Sequence, residues 1–217
     1  MMTFYLDLDG TLIDVSERYY RIYREMVLAG GGNPLKKSEY WRLRRQGISE
    51  SELLSQLVPS KVYSELLASR AKKLETLEYL KYDQLVPGAL ETIEFLKARA
   101  RLILVTLRNA AMELMHQLQT LGLGSLFELV LFPTQHIDDH AKSKATLISG
   151  NPWFKAENSM IIGDSEADIL AGKMLNIKSI AVLSGIRERE ILVRYKPDYI
   201  IDSLAALPTL LSAISGK

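Results

Sequence analysis

The 217-residue chain contains no cysteine and no long hydrophobic run, and its charges nearly cancel. The lack of cysteine excludes disulfides and thiolate metal centres. No apolar stretch approaches the roughly 18 residues that a membrane helix needs, and the first residues do not resemble a leader peptide, so we expect a cytoplasmic protein. The 27 basic and 26 acidic residues leave no excess charge to favour nucleic acid or a membrane surface. We therefore expect small-molecule partners.

The composition is that of an ordinary globular protein, with 47% hydrophobic and 24% charged residues. Apolar runs rich in β-branched residues alternate with helical segments, which is typical of a parallel sheet covered by helices. The predicted strands are residues 3–8, 102–106, 129–132, 160–163, 179–183 and 199–201. Helices are predicted after Pro87-Gly88, before Gly122 and from near Pro208 onward.

The interval 16–83 interrupts this alternation, because it contains amphipathic helical stretches and no convincing strand. Its tyrosine-rich stripe around Tyr19 and Tyr23 is interpreted as packing. The glycine-rich stretch at 30–34 lacks the lysine and hydroxyl residue of a P-loop, so we interpret it as a connector. The predicted domains are an α/β core of residues 1–15 and 84–217 and an all-helical insert of residues 16–83.

The most informative segment is Asp7-Leu8-Asp9-Gly10-Thr11, which directly follows the first apolar run. Side chains two positions apart on a strand point to the same face, so Asp7 and Asp9 can address one site. A buried pair of acids needs a compensating cation, and a divalent metal with oxygen ligands suits it. The alternatives are a polar turn or a calcium loop, although a helical calcium loop spreads its acids over about twelve residues after a helix. The pair favours phosphoryl chemistry.

Two other predicted strands end in polar residues at the same edge of the sheet, where open α/β folds bind ligands. Thr106 can hold a phosphate oxygen with the backbone N–H groups that follow it, or it can simply cap a helix. Asp164 can complete a metal site. Ser165 and Asp168 are typical of a helix cap, but Asp168 also lies one turn beyond Asp164, where it can pair with a lysine.

A fixed cation is needed at such a site, because a carboxylate that attacks a phosphate dianion meets like-charge repulsion. The segment 140–144 stands at the start of the helix before the strand 160–163. Lys144 opens an amphipathic helix and is the first candidate, while Lys142 is the alternative.

Taken together, these motifs resemble those of the haloacid dehalogenase superfamily of phosphatases over almost the whole chain. The four motifs appear in order as residues 7–12, Thr106, Lys144 or Lys142, and residues 163–168. The resemblance implies a Rossmann-like, doubly wound parallel sheet with an inserted all-helical cap, as in the phosphoglycolate phosphatase-like branch. Residues 86–89 resemble the re-entry from the cap into the core.

The resemblance also implies a role for each site residue. Asp7 would attack phosphorus to form an aspartyl-phosphate, and Asp9 would protonate the leaving oxygen and then activate water. Mg²⁺ would be held by the Asp7 carboxylate, the Asp9 backbone carbonyl and Asp164. The full catalytic set would then be Asp7, Asp9, Thr106, Lys144 and Asp168, with Thr106 and Lys144 on the phosphoryl group.

Arginines are candidates for binding further anionic groups. Arg108 is predicted to add a cation to the phosphate pocket, because Leu107 and Arg108 follow Thr106 where many relatives place Asn or Ser directly after the threonine. Arg187 is predicted to flank the site. The candidates in the insert that could meet an anionic part of a substrate are Arg18, Arg21, Arg42, Arg44 and Arg45.

The predicted function is that of a Mg²⁺-dependent phosphomonoesterase acting on a small phosphorylated metabolite, as a monomer or small homo-oligomer. Asp9 argues against a dehalogenase, because departure of a halide needs no protonation. A sugar-phosphate phosphomutase shares both aspartates and is an alternative. A non-catalytic binding protein that keeps the fold is another.

Overall fold

A computed structural model describes residues 1–134 and 138–215 of the chain. Its strands are β1 (Thr3–Leu6), β2 (Ile13–Asp14), β3 (Gln84–Leu85), β4 (Arg101–Val105), β5 (Leu129–Leu131), β6 (Ser159–Gly163), β7 (Lys178–Val182) and β8 (Tyr199–Ile201). Six of them form one sheet in the order β5-β4-β1-β6-β7-β8, and all neighbours in it are parallel. These six match the predicted strands, so the predicted parallel α/β sheet is confirmed.

The helices that follow β3 cover both faces of this sheet. They are α6 (Ala89–Lys97), α7 (Ala111–Thr120), α8 (His140–Ser149), α9 (Glu166–Met174), α10 (Arg189–Leu192) and α11 (Leu207–Ser215). Alternate residues of β1 enter opposite hydrophobic layers, because successive side chains of a strand point to opposite faces. Phe4 and Leu6 pack with residues of α6, α7 and α11, whereas Tyr5 packs with residues of α8 and α9. The sheet is therefore doubly wound.

The chain between β2 and β3 contains helices and no strand. These helices are α1 (Ser16–Ala29), α2 (Lys37–Arg45), α3 (Glu50–Leu57), α4 (Ser60–Lys73) and α5 (Leu77–Leu80). They enclose their own hydrophobic cluster, in which Ile22, Tyr23, Met26 and Val27 of the predicted stripe are buried. The all-helical insert is thus confirmed, while the domain limits 1–15, 16–83 and 84–217 stay a prediction.

The insert leaves and rejoins the core at one place, because β2 and β3 pair with each other antiparallel. The N–H of Val86 extends this pairing by donating to the carbonyl of Leu12 at 2.9 Å. Both crossings of the chain therefore lie at β2, which follows Asp7 and Asp9 closely in the sequence. Over the described residues, no helix is both long and apolar enough to cross a membrane.

Two stacked tyrosines, Tyr23 and Tyr40, offer a matched test of the insert's interior. Both are fully buried, and their ring centroids lie 4.3 Å apart. The Tyr23 hydroxyl accepts from the N–H of Leu35 at 3.1 Å, whereas the Tyr40 hydroxyl has no hydrogen-bond partner in the described part of the chain.

We expect Tyr40→Phe to leave the free energy of unfolding unchanged or to raise it by up to about 1 kcal/mol, because an unpaired buried hydroxyl is removed. Tyr23→Phe should lower that free energy by about 1 kcal/mol, because the Leu35 N–H loses its acceptor. Urea unfolding of both variants measures the difference. A larger loss for Tyr40→Phe than for Tyr23→Phe would contradict this account.

Candidate active site

The predicted site residues lie where three central strands end. Asp7 directly follows β1, and its N–H donates to the Ile162 carbonyl of β6 at 2.9 Å. Thr106 directly follows β4, and its N–H donates to the Leu131 carbonyl of β5 at 3.0 Å. Asp164 directly follows β6. Because the strands are parallel, these residues meet at one edge of the sheet, and all of them are buried.

Lys144 joins two of the predicted acids. Its Nζ donates to Asp7 Oδ1 at 2.6 Å and to Asp168 Oδ1 at 2.5 Å, and all three side chains are buried. Lys144 reaches them from the first half of α8, where its neighbour Ala145 packs on the sheet. Lys142, in contrast, is exposed. The structure therefore places Lys144, and not Lys142, beside Asp7.

Asp168 lies in the first turn of α9, and its two carboxylate oxygens contact different partners. Its Oδ2 accepts from the N–H of Ser165 at 3.2 Å and from the Ser165 hydroxyl at 2.7 Å, while Oδ1 receives Lys144. Gly163 permits this arrangement, because a Cβ there would lie 2.0 Å from the Asp168 carboxyl carbon. The cap expected from the sequence and the lysine pair thus coexist in one side chain.

Asp164 is held by a loop that the sequence motifs did not indicate. The N–H of Ile186 donates to Asp164 Oδ2 at 2.6 Å. A Cβ on Gly185 would lie 1.9 Å from that oxygen, and one on Gly10 would lie 2.0 Å from it. Gly10 also has a φ of 83°, which favours glycine. Two glycines from distant segments therefore make room for one carboxylate.

The acids outnumber the cation at this edge. One carboxylate oxygen each from Asp7, Asp164 and Asp168 lie within 4.8 Å of one another. Three ionised carboxylates beside Lys144 alone would leave two uncompensated negative charges. Burial raises the pKa of Asp7 to about 7 despite Lys144, and the Asp168 charge adds to the rise. Burial and then the Asp7 and Asp168 charges hold the pKa of Asp164 well above its usual range.

This arrangement fits a divalent cation with oxygen ligands, because such an ion would balance the two excess negative charges. Both oxygens of Asp168 already accept hydrogen bonds from Lys144 or Ser165. Asp7 Oδ2 accepts only a long hydrogen bond, from the Thr11 hydroxyl at 3.4 Å, and Asp164 accepts through Oδ2 from Ile186. Asp7 Oδ2 and Asp164 Oδ1 are therefore the carboxylate oxygens best able to hold the ion. The chemistry of the donor set matches Mg²⁺, which prefers oxygen ligands and is bound by one or two carboxylates.

Asp9 belongs to a second cluster with different partners. Its Oδ1 accepts from Arg18 Nη2 at 2.9 Å, its Oδ2 accepts from Arg108 Nε at 2.9 Å, and Arg108 Nη2 also donates to Oδ1. Burial favours the neutral carboxyl, but the charges of Arg108 and Arg18 outweigh it and hold the pKa of Asp9 well below its usual range. In this conformation Asp9 is an ionised acceptor.

Asp83 is a second acid between the same two arginines. Its Oδ1 lies 3.1 Å from Arg18 Nε, and its Oδ2 lies 3.2 Å from Arg108 Nη2. Gln117 supports the cluster, since its Nε2 donates to Asp83 Oδ2 at 2.9 Å and its Oε1 accepts from Arg108 Nη1. Burial raises the pKa of Asp83 to about 6, although the Arg18 charge opposes the rise.

The structure separates the arginine candidates. The side chains of Arg18 and Arg108 donate hydrogen bonds to Asp9. Arg108 contacts the Thr106 hydroxyl through its backbone N–H, at 3.3 Å, and not through its guanidinium group. Arg45 donates from α2 to the carbonyls of Leu183 and Gly185. The remaining candidates contact groups near them in sequence or at the rim of the site: Arg21 contacts Glu17, Arg42 contacts Gln46, Arg44 contacts Ile48, and Arg187 contacts Glu166.

Sequence analysis missed four residues of this neighbourhood. Asp83 and Gln117 complete the arginine cluster, Gly185 makes room for Asp164, and Glu75 accepts from the N–H groups of Asn109 and Ala110 at 2.9 and 2.7 Å. None of them belongs to a local motif. For Asp83, a possible signal was an acid next to the predicted junction between insert and core.

Comparisons with known proteins agree with this geometry. The family profile described as haloacid dehalogenase-like hydrolase matches residues 5–182. Pyrophosphatase PpaX of Bacillus mycoides is 28% identical over 99% of this chain and 98% of its own. Phosphoglycolate phosphatase of Synechococcus elongatus is 25% identical over 94% of this chain and 93% of its own. A haloacid dehalogenase-like hydrolase structure from Streptococcus pneumoniae superposes with a TM-score of 0.80 at 20% identity, covering 97% and 98% of the two chains.

The profile match covers most of the chain, so this protein belongs to the haloacid dehalogenase-like hydrolases. Within that family it is a phosphatase, as the names of its two relatives also indicate for them. The resemblance inferred from the four sequence motifs is confirmed.

The excess of buried acids predicts how Mg²⁺ should affect stability. In the metal-free protein Asp7 has a folded pKa of about 7, above its unfolded value of about 4, so the folded state binds more protons between these pH values. Stability should therefore fall as pH rises through this window. Mg²⁺ should offset that loss, contributing about 2–3 kcal/mol at a hundredfold excess over its Kd.

Thermal unfolding in excess MgCl₂ or EDTA, near pH 5 and near pH 8, measures this effect. The rise in Tm with Mg²⁺ should be larger near pH 8. Asp164→Asn is the matched control, because it removes one repelling charge and one ligand. That variant should be at least as stable as the wild type in EDTA near pH 8 and should lose most of the rise. An equal rise in wild type and variant would contradict the assignment.

Proposed function

We propose that this phosphatase is a Mg²⁺-dependent phosphomonoesterase that hydrolyses a small phosphorylated metabolite through an aspartyl-phosphate at Asp7. The observation that carries the proposal is the buried ion-paired group of Asp7, Lys144 and Asp168 beside Asp164. Lys144 fixes the orientation of the Asp7 carboxylate and supplies the positive charge that a phosphate dianion requires. Asp168 in turn fixes Lys144.

In the first step, a carboxylate oxygen of Asp7 forms a bond to phosphorus, and the bond between phosphorus and the leaving oxygen breaks. Asp9, once it has left the arginines and taken up a proton from solvent, gives that proton to the leaving oxygen. Thr106 and Lys144 bind the phosphoryl oxygens as charge develops on them. Asp7, the Asp9 backbone carbonyl and Asp164 would hold a Mg²⁺, which would supply further positive charge to the phosphoryl group.

In the second step, Asp9 takes a proton from a water molecule, which attacks phosphorus and breaks the bond to Asp7. Inorganic phosphate leaves, and Asp7 is regenerated. Asp9 therefore acts first as an acid and then as a base. To do either, its carboxyl group must face the reacting oxygen, whereas in the structure it accepts hydrogen bonds from Arg18 and Arg108.

Two relatives indicate where the substrate search should begin. One is named for pyrophosphate and the other for phosphoglycolate, and both compounds are small and carry a second anionic group next to the phosphoryl group. A panel should contain both compounds and several sugar phosphates. Release of phosphate from one of them supports hydrolysis, whereas formation of an isomerised sugar phosphate without phosphate release would support a phosphomutase.

The nucleophile is tested by replacing Asp7 with asparagine. Asp7→Asn should lower kcat/KM by more than about 1,000-fold, because the covalent route is lost. Mass spectrometry of the acid-quenched wild type during turnover should show a phosphoryl adduct on the peptide that contains Asp7. Full activity of Asp7→Asn would refute the mechanism.

The two lysines of α8 provide a matched pair for the phosphoryl-binding group. Lys144→Met should lower kcat/KM by about 100-fold or more, because the charge beside Asp7 disappears. Lys142→Met removes the same charge from an exposed position and should leave kcat/KM within about twofold of the wild type. Phosphate release measures both, and a greater loss in Lys142→Met would reverse the assignment.

A further inference from the structure

The arginine cluster around Asp9 contains two cations and two anions. Arg18 and Arg108 each contact both Asp9 and Asp83. The side chains of Arg18, Arg108 and Asp83 are 2%, 4% and 0% exposed, whereas Asp9 is 23% exposed. The four charges cancel, and Asp9 is the most exposed member of the cluster.

The other three members keep partners of their own without Asp9. Arg18 donates to the Leu74 carbonyl at 2.7 Å, and Arg108 donates to Gln117. Asp83 accepts from Gln117 at 2.9 Å and lies against both guanidinium groups. Departure of Asp9 would leave this framework in place.

The charges of the cluster differ before and after such a departure. With Asp83 present, Arg18 and Arg108 would be left with one excess positive charge. Without Asp83 they would be left with two, in a site where an unpaired buried charge is strongly unfavourable. Asp83 therefore lowers the free energy that is needed to separate Asp9 from the arginines.

We propose that Asp83 is a positioning residue that holds Arg18 and Arg108 while Asp9 turns from them toward the leaving oxygen. The inference rests on the proposed acid and base role of Asp9. Asp83 stands at the end of the insert just before β3, and Arg18 lies in the first turn of α1. The partner exchange of Asp9 thus takes place where both ends of the insert meet the core.

Asp83→Asn tests the proposal, because it removes the charge and keeps the size of the side chain. Asp9 then becomes the only counterion of two arginines and should leave them less readily. With 2-phosphoglycolate, whose alkoxide leaving group needs a proton, kcat/KM should fall by about 30-fold or more. With p-nitrophenyl phosphate, whose leaving group departs without a proton, it should stay within about threefold.

Charge compensation separates this role from a merely structural one. The double variant Asp83→Asn, Arg18→Met again leaves one excess positive charge when Asp9 departs, as in the wild type. It should recover about fivefold or more of the phosphoglycolate activity lost by Asp83→Asn. Glu50→Gln is the control, since Glu50 is a buried acid of the insert that pairs with Arg70 at 2.6 Å. It should change the two activities by the same factor.

A second readout needs no turnover. A crystal structure with Mg²⁺ and a tetrahedral phosphate mimic should show the Asp9 carboxylate turned away from the arginines, with Arg18 and Arg108 still on Asp83. Arginines that follow Asp9 away from Asp83 would overturn the proposal, as would equal losses on both substrates in folded Asp83→Asn. If Asp7→Asn were fully active, the proposed function itself would fail. If Asp7 is essential but Asp83→Asn is unselective, only this inference fails.

Discussion

The constraint on which the site depends is an excess of buried negative charge at the end of the central strands. Asp7, Asp164 and Asp168 share this edge with Lys144, the cation that pairs with Asp7 and Asp168 among the described residues. Such a group is unfavourable by itself, because burial opposes ionisation and the acids repel one another. The rest of the fold supports it. Asp7 and Asp164 follow strands of the sheet, α9 carries Asp168, and α8 carries Lys144. Gly10 and Gly185 leave space for Asp164. The arrangement therefore fits a divalent cation, whose two positive charges would balance the excess.

The arginine cluster around Asp9 differs from this group, because its two positive and two negative charges cancel. Arg18 and Asp83 come from the insert side and Arg108 comes from the core, so the cluster links the two parts of the chain. Glu75 adds a further link through the N–H groups at 109 and 110, and Arg45 adds another through the loop beside Asp164. The insert thus contacts the groups around both Asp9 and Asp164. A displacement of the insert would therefore change the contacts of Asp9 and of the loop beside Asp164.

Much of this could be predicted from sequence, because the signals are local. Strands buried on both faces appear as apolar runs, and polar residues directly after them identify the functional edge of the sheet. The choice between Lys144 and Lys142 could not be made in this way, because it depends on which face of α8 meets the sheet. The surroundings of Arg108 could not be predicted from the sequence either. A cation two residues after Thr106 suggests a phosphate ligand, and only the tertiary structure shows that Asp9, Asp83 and Gln117 surround its guanidinium group.

Asp7 and Asp9 belong to one motif, but their surroundings shift their pKa values in opposite directions. The nucleophile candidate lies among acids, where burial raises its pKa to about 7, and it needs an added cation to be fully ionised at neutral pH. The acid candidate lies between two arginines that lower its pKa, and it must separate from them before it can carry a proton. In the proposed mechanism, Asp7 would be activated by binding a cation, and Asp9 by leaving two arginines. The pKa of Asp7 must fall and that of Asp9 must rise, so the two carboxyl groups need separate surroundings, and the structure gives them different partners: Lys144 for Asp7, and Arg18 and Arg108 for Asp9.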